Sequence, residues 1–350
     1  MTLETAFERR SLPLEYPFGI ARGTTTETDA VFVRIADGDG TVGIGAAAPS
    51  ARYGETAATV EAVLPDLLSV VEEVGDPHRL ERIEWRMHET VRRNPSARAA
   101  VGIALHDLVA KRFDVPLYRC WGLDPDETLE TSYTIGLDET ETMRAKTETA
   151  SERGFGTLKV KLGTDRDLEI VRAIRSVAPD ARLFVDANEA WRPREAVRKI
   201  DRLAAFDVTF VEQPVPADDP EGLAFVHERA ALPIAADESC RTLADVPRVA
   251  DRCDIVNLKL MKCGGLREAR RLISAARAHG LAVLCGCMTE SNASIAAACH
   301  LAPLLDYADL DGSLLLADDP ADGVPMPGGR IALSDLERPG TGAVLEPEFG

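Results

Sequence analysis

The chain has 350 residues, of which 45% are hydrophobic, and it carries a formal net charge of −18 at pH 7. Its length favours a large core with an accessory domain, and its negative charge argues against binding to nucleic acid or to an anionic membrane. No run of about 18 apolar residues occurs, and the N-terminal segment lacks a secretory pattern, so we expect a cytoplasmic globular protein. The seven cysteines include no Cys-x-x-Cys pair, which is typical of small buried residues in a reducing compartment.

Residues 1–127 are predicted to form an α+β domain. The segments ETAFERRSLPL, AVFVRIADGDG and TVGIGAAAP resemble antiparallel strands, and DGDG is a turn signal between two of them. Helical patterns follow near 55–72, 77–92 and 96–113.

Residues 128–317 show a regular alternation of apolar segments and amphipathic stretches. The predicted strands are 131–135, 157–162, 181–187, 208–214, 232–238, 254–260, 281–287 and 307–311. Strands that alternate with helices predict a parallel sheet, and eight of them predict closure into a TIM-type barrel. The Pro- and Gly-rich tail, 318–350, is too short to fold alone and is expected to return to the N-terminal domain.

Two lysines share one face of the second predicted barrel strand. In TLKVKL, Lys159 and Lys161 alternate with Leu158, Val160 and Leu162. Burial and a neighbouring ammonium both disfavour the charged form, so we expect a lysine pKa lowered from about 10.4 to roughly 7–8, which suits a base. An edge strand with two solvated lysines is the alternative that this pattern leaves open.

Three acids, Asp186, Glu212 and Asp237, each follow an apolar strand, in the segments VDAN, VEQP and ADES. Their spacing is about one strand-plus-helix unit, so in a barrel they would share the end at which active sites are built. Carboxylate oxygens are ligands that Mg²⁺ favours. One such acid alone is better explained as a helix cap or a solvated loop residue, whereas three at a regular interval favour a metal site. Zinc is disfavoured, because no histidine lies near these strand ends with ligand-like spacing.

Lys259 ends the sixth predicted barrel strand, in NLKL, before a glycine turn. Strands two and six are nearly opposite in an eight-stranded barrel, so Lys259 would face the earlier lysines across the mouth. Two opposed lysines around one metal suit the movement of a proton from one face of a carbon to the other. The metal would stabilise the negative charge that develops beside a carboxylate, a contribution of several kcal/mol.

Taken together, these motifs resemble the enolase superfamily, specifically its muconate-lactonizing subgroup. The motifs are KVK (159–161), DAN (186–188), EQP (212–214), ADES (236–239) and NLKLMKCGG (257–265). The segments PFGIARGTTTETD and PSARYGET are similar to the two capping loops of that family. The resemblance covers nearly the whole chain and implies a (β/α)₇β TIM-type barrel with an N-terminal α+β capping domain that the C-terminal tail completes.

The resemblance also implies roles for the site residues. Asp186, Glu212 and Asp237 would bind Mg²⁺. Lys161 and Lys259 would form the acid/base pair, and Lys159 would support Lys161 electrostatically.

The eighth predicted strand helps to separate the reactions of this family. In ADLDG, Asp309 and Asp311 share a face and resemble the Asp-x-Asp motif with which dipeptide epimerases hold the free ammonium of the substrate. N-acylated or aromatic substrates offer no cation to justify two buried carboxylates. A strand that ends in a solvated acidic turn remains the alternative.

Three further residues are assigned by the same resemblance. Arg22, in PFGIARG, would pair with a side-chain carboxylate of the substrate, although some relatives with this activity carry the arginine where this chain has Gly23. Thr134 would help to position the substrate. Glu290, in CGCMTES, is expected to support the site rather than to act in catalysis.

The favoured reaction is therefore 1,1-proton transfer at the α-carbon of the C-terminal residue of a dipeptide, with L-Ala-D/L-Glu as the leading substrate. N-acylamino acid racemase, o-succinylbenzoate synthase and muconate cycloisomerase are the alternatives within the family. A Schiff-base aldolase and a non-catalytic metal-binding barrel are alternatives outside it. The expected partner is a small-molecule dipeptide, and association into a homo-oligomer is left open.

Overall fold

The computed structural model describes residues 3–346, and its N-terminal domain begins with an antiparallel sheet. The strands, in sheet order, are β1 (Glu4–Ile20), β2 (Gly23–Ala36) and β3 (Val42–Ala47). Alternate residues of β2 point to opposite faces, so Val31 and Val33 pack with the capping helices while Phe32 packs with Ala293 and Leu316 of the barrel domain. The sheet is therefore buried between its helices and the barrel.

Helices cover the outer face of this sheet. They are α1 (Ala57–Val74), α2 (Leu80–Thr90) and α3 (Pro95–Arg112), followed by the single turn α4 (Leu117–Cys120). Helix α3 is buried along most of its length. Gly45 lets β3 approach it closely, because a Cβ at this position would lie 2.2 Å from the carbonyl oxygen of Ala100. The predicted strands and helices of this domain are confirmed.

Eight parallel strands follow, paired in chain order. They are β4 (Tyr133–Ile135), β5 (Thr157–Lys161), β6 (Arg182–Asp186), β7 (Val208–Glu212), β8 (Ile234–Ala236), β9 (Ile255–Leu258), β10 (Ala282–Gly286) and β11 (Tyr307–Asp309). A β-bridge joins Thr131 to Ala308, and Ser132 N–H donates to Ala308 O over 3.0 Å, which links the first strand to the last. The predicted (β/α)₇β barrel with an α+β cap is confirmed.

The barrel helices lie between successive strands. They are α5 (Thr140–Glu152), α6 (Asp167–Val177), α7 (Pro193–Leu203), α8 (Pro220–His227), α9 (Val246–Val249), α10 (Leu260–Cys263), α11 (Leu266–Ala278) and α12 (Asn292–Cys299). None of the helices within residues 3–346 is long and apolar enough to span a membrane.

Aromatic side chains fill the barrel interior below the site. The rings of Phe184 and Phe210 stack with centroids 4.5 Å apart, and Tyr307 meets Phe210 edge-on at 5.0 Å. Lys159 Nζ lies 6.0 Å from the centroid of Phe184, directly above this apolar layer. The charged groups at the strand ends therefore lie directly above a tightly packed apolar layer. This layer limits the movement of their side chains into the barrel.

The C-terminal tail packs on the N-terminal domain, as expected. Its strands β12 (Ala321–Asp322) and β13 (Val344–Leu345) pair with each other. Thr341 N–H donates to Asp107 Oδ1 of α3 over 2.7 Å, and Leu117 N–H donates to Gly340 O over 2.7 Å. These contacts tie the tail to α3 and to the segment that leads into the barrel. The domain boundaries at residues 127 and 317 stay predictions.

Candidate active site

The candidate site lies at the carboxyl ends of the barrel strands. Lys161 ends β5 and pairs in register with Asp186, which ends β6 and pairs in turn with Glu212 at the end of β7. Asp237 directly follows β8, and Lys259 directly follows β9. Because parallel strands share their direction, these residues meet at one mouth of the barrel although they are far apart in sequence.

Lys159 lies at the centre of the carboxylates. Its Nζ is 2.7 Å from Asp309 Oδ2, 2.9 Å from Glu212 Oε2 and 3.3 Å from Asp186 Oδ2, and the residue is 1% exposed. Lys161 Nζ donates to Asp186 Oδ2 over 2.7 Å. The two lysines therefore lie on the inner face of the barrel, and the alternative of a solvated edge strand is wrong.

Lys259 lies beside the third acid. Its Nζ donates to Asp237 Oδ2 over 2.9 Å, and the residue is 7% exposed. Lys262, which the sequence prediction did not include, donates to Asp237 Oδ1 and to the carbonyl oxygens of Asp237, Cys240 and Asn257. It lies one helical turn after Lys259, and this spacing is the signal from which its approach to the same carboxylate could have been predicted.

The predicted lowering of the lysine pKa on this strand is wrong for Lys159. Burial alone would lower the pKa of Lys159, but Asp309, Glu212 and Asp186 raise it well above its usual value. Burial would likewise lower the pKa of Lys259, yet Asp237 raises it overall. The cause is that each ammonium has carboxylate partners, whose attraction outweighs desolvation.

Burial and neighbouring charges shift the pKa values of the acids in opposite directions. Burial and the nearby Asp186 raise the pKa of Glu212 to about 7. Burial would also raise the pKa of Asp186, but Lys161 and Lys159 lower it to about 2. The mouth therefore combines carboxylates of very different proton affinity.

The donor set fits a hard divalent cation. Asp186, Glu212 and Asp237 are at most 1% exposed, and carboxylate oxygens suit Mg²⁺. Oε2 of Glu212 receives no well-directed hydrogen bond from the described residues, although Lys159 Nζ is close to it. In the part of the chain that is described, however, no three His, Cys, Asp or Glu side chains converge as a metal cluster, because ammonium groups lie among the acids.

The last barrel strand adds two buried acids. Asp309 Oδ1 accepts a hydrogen bond of 2.7 Å from Ser132 Oγ, and Asp311 Oδ2 accepts one of 2.6 Å from Thr134 N–H. Burial and Asp309 together raise the pKa of Asp311 to about 7. Both acids are less than 5% exposed, so the alternative of a solvated acidic turn is wrong.

A cavity of 510 Å³ joins these groups to the cap. Its barrel side includes Lys159, Lys161, Asp237, Lys259, Thr134, Asp309 and Asp311. Its cap side consists of the capping hairpin, residues 17–25, and the capping loop, residues 49–54, through side chains such as Phe18, Arg22, Arg52 and Tyr53. One continuous cavity therefore contains the lysines, an acid of the predicted metal set and the second acidic pair.

Two family models match the chain and together cover most of it. Residues 3–122 match the Mandelate racemase / muconate lactonizing enzyme, N-terminal domain, and residues 142–349 match the Enolase C-terminal domain-like family. The chain belongs to the enolase superfamily.

Individual relatives resemble this superfamily member over nearly its whole length. A curated L-Ala-D/L-Glu epimerase of Bacteroides thetaiotaomicron is 40% identical, with 98% of this chain and 88% of that protein covered. The structure of a dipeptide epimerase from Methylococcus capsulatus, complexed with Mg and the dipeptide L-Arg-D-Lys, is 36% identical with a TM-score of 0.91, covering 98% of this chain and all of that one. An N-succinyl Arg/Lys racemase from Bacillus cereus is 26% identical with a TM-score of 0.93, covering 99% and 96% of the two chains.

Arg22 of this superfamily member lies at the tip of the capping hairpin with carboxylate partners. One guanidinium nitrogen is 2.9 Å from Glu238 Oε1, and the other donates to Glu189 Oε2 over 3.1 Å and to Asn188 O over 2.9 Å. The predicted contact of Arg22 with substrate stays a prediction, and it would require exchange of one of these partners.

Glu290 lies behind the cavity wall. It accepts hydrogen bonds from Met288 N–H over 2.8 Å and from Ser294 Oγ over 2.7 Å, which tie the loop after β10 to α12.

The prediction that the cysteines are buried holds for five of the seven. Cys120 is exposed, and Cys287 is partly exposed in the cavity wall.

Proposed function

We propose that this protein is a Mg²⁺-dependent dipeptide epimerase, with L-Ala-D/L-Glu as its leading substrate. The observation that carries the proposal is the buried pair Asp309 and Asp311 in the wall of the same cavity as the lysines. Two buried carboxylates beside a substrate pocket suit a ligand with a free ammonium group. A dipeptide supplies this group at its N-terminus and an acidic α-proton beside its C-terminal carboxylate.

Asp186, Glu212 and Asp237 are the proposed metal ligands. When bound, the cation supplies positive charge for the substrate carboxylate and for the negative charge that develops when the α-proton leaves. Binding requires that Lys161 and Lys259 release the oxygens of Asp186 and Asp237 with which they are paired. This release also frees the lysines for proton transfer.

Lys161 and Lys259 are the proposed bases on opposite faces of the α-carbon. The neutral amine of one lysine takes the α-proton, and the ammonium of the other delivers a proton to the opposite face, so the roles exchange with the substrate stereochemistry. Lys159 lies among three carboxylates, of which Asp309 is not a proposed metal ligand, and is proposed to stay protonated beside Lys161. Thr134 is proposed to orient Asp311 through its backbone N–H.

The choice of a glutamate side chain rests on the cap. Arg22 and Arg52 are cationic groups in the cap side of the cavity, and Arg22 is the proposed partner of the substrate side-chain carboxylate. The name of the 40% identical Bacteroides relative, L-Ala-D/L-Glu epimerase, supports the same choice.

The test is isotope exchange in deuterated buffer. With Mg²⁺ present, L-Ala-L-Glu should yield L-Ala-D-Glu, and the α-proton NMR signal of the glutamate residue should disappear from both epimers. A chelator should stop both changes. Exchange that resists a chelator, or no exchange with any member of a dipeptide library, contradicts the proposal.

An N-succinylamino acid racemase is the second candidate, because the Bacillus cereus racemase has the same fold at a TM-score of 0.93. The acidic pair separates the two activities, since an N-succinyl group is anionic and would meet Asp309 and Asp311 unfavourably. Turnover of N-succinyl-lysine or N-succinyl-arginine without turnover of free dipeptides would establish the second activity.

We also propose that the enzyme acts in the cytoplasm and associates with copies of itself. Light scattering after size-exclusion chromatography measures the assembly, and a monomeric mass at micromolar concentration contradicts it.

A further inference from the structure

Glu189 is a partly buried carboxylate next to the mouth that the proposed chemistry does not use. It lies three residues after Asp186, with its backbone in the left-handed region at a φ of 71°, and its side chain is 9% exposed. This conformation is unfavourable for a residue other than glycine and is retained where surrounding contacts compensate for it.

Arg52 of the capping loop binds Glu189 with two parallel hydrogen bonds. Its Nε donates to Oε2 and its terminal nitrogen donates to Oε1, each over 2.6 Å. This two-point geometry is the strongest arrangement that an arginine and a carboxylate form. The capping loop is therefore joined at its tip to the loop after β6.

The capping hairpin reaches the same carboxylate through Arg22. Arg22 donates to Glu189 Oε2 over 3.1 Å and to the adjacent carbonyl of Asn188 over 2.9 Å. Ala217 N–H, in the loop after β7, donates to Glu189 Oε1 over 2.8 Å. One side chain thus joins both capping segments to two barrel loops.

The hairpin has an independent anchor one residue pair from its turn. Leu137 N–H donates to Gly19 O over 2.7 Å, and a Cβ at Gly19 would lie 2.2 Å from the Leu137 carbonyl oxygen. This contact involves neither arginine. Loss of the Glu189 carboxylate should therefore free the capping loop and loosen the hairpin turn, where Arg22 keeps Glu238 and the Asn188 carbonyl, while the contact between Gly19 and Leu137 stays formed.

We propose that Glu189 is a positioning residue that docks the capping hairpin and the capping loop together onto the barrel mouth. The docked cap covers part of the cavity and limits the access of water to the lysines. Arg22 and Arg52 are 34% and 39% exposed in their side chains, so solvent weakens each pair, but their convergence on one partly buried carboxylate couples the two segments.

Hydrogen exchange measures this docking without reference to activity. In Glu189→Gln, peptides that cover residues 20–25 and 49–54 should exchange faster than in the parent protein, whereas the peptide around Leu137 should not change. The matched control is Glu195→Gln, which removes a carboxylate from an exposed pair with Lys199 on α7. Unchanged exchange in both capping segments overturns the proposal.

Kinetics supply a second readout, which rests on the proposed function. Undocked capping segments must be ordered when substrate binds, so Glu189→Gln should raise KM about threefold to tenfold with kcat little changed. Arg52→Gln should have a smaller effect, because Arg22 still binds Glu189, and the double variant should be no worse than Glu189→Gln, because the contact with Arg52 is already lost there. Additive effects, or a fall in kcat alone, overturn the docking role.

The two proposals fail in different ways. If dipeptide turnover is absent but Glu189→Gln loosens both capping segments, the docking role stands and the proposed function fails. If turnover is present but exchange in the capping segments does not respond, the function stands and the docking role fails.

Discussion

Lys262 and Asp237 are joined twice. Lys262 Nζ donates to Asp237 Oδ1 over 2.5 Å and to the Asp237 carbonyl oxygen over 2.7 Å, with no exposure of the lysine side chain. Asp237 Oδ2 is left to face Lys259. The buried ammonium of Lys262 therefore determines which carboxylate oxygen of Asp237, the third proposed metal ligand, is directed to the centre of the mouth.

Replacement of Lys262 by methionine should weaken Mg²⁺ binding. Groups that orient a metal ligand typically contribute about 10–100-fold to metal affinity, and Asp237 would lose its orienting partner. Titration calorimetry with Mg²⁺ measures the change. Lys146→Met, which removes a partly exposed lysine paired with Asp138, is the control. Circular dichroism verifies that both variants fold, and Lys262→Gln gives a second test if the methionine variant does not. Unchanged Mg²⁺ affinity in a folded variant contradicts this role.

Replacement of either proposed base should abolish epimerisation. Lys161→Ala and Lys259→Ala should each lower kcat about 10²–10⁴-fold, the usual contribution of a general acid or base. Each variant should still exchange the α-proton of one epimer, namely the epimer whose proton faces the remaining lysine. NMR in deuterated buffer with L-Ala-L-Glu and L-Ala-D-Glu measures both quantities. Equal exchange of both epimers in either variant would argue against a two-base site.

Replacement of Asp311 by asparagine should remove the preference for a free amino terminus. The parent enzyme should turn over L-Ala-L-Glu far faster than its N-acetyl derivative, and the variant should lose about 10²-fold in kcat/KM for the free dipeptide only. The control is Asp322→Asn, at an exposed aspartate of β12. If both substrates lose activity in the same proportion, Asp311 does not bind the ammonium group.

Stability should fall as the pH falls from 6.5 toward 4. His300 is buried, accepts a hydrogen bond from Tyr118 N–H at Nδ1, and lies 3.1 Å from Thr341 O at Nε2, which is the arrangement of a neutral ring. Burial lowers its pKa to about 4, so between these pH values the unfolded chain binds a proton that the folded protein excludes.

His300→Gln should therefore reduce the slope of the free energy of unfolding against pH in this window, by at most about 1.4 kcal/mol per pH unit. Urea unfolding at several pH values measures the slope. The exposed His279, replaced by glutamine, is the control. A slope that is unchanged in His300→Gln, or reduced equally in the control, contradicts the prediction.

The barrel and most of the candidate site could be predicted from the sequence, because both follow from a repeating pattern. Five successive apolar strands, β5 to β9, each end in or directly before a charged residue at a regular interval. Parallel strands bring their carboxyl ends together whatever the details of the helices. The side-chain alternation of Lys159 and Lys161 determined their shared face, and the same period of two put Asp309 and Asp311 together. These are local rules, and a linear sequence is enough to apply them.

Tertiary structure alone decided how the charges pair. Lys159 meets Asp309 of the last barrel strand, 150 positions later in the chain, so its pKa rises where burial by itself predicted a fall. Arg22 meets Glu189 and Glu238, residues that no pattern in the hairpin identifies. The physical reason is that electrostatic partners depend on distances of a few ångströms between groups far apart in the chain, whereas strand periodicity depends only on neighbours.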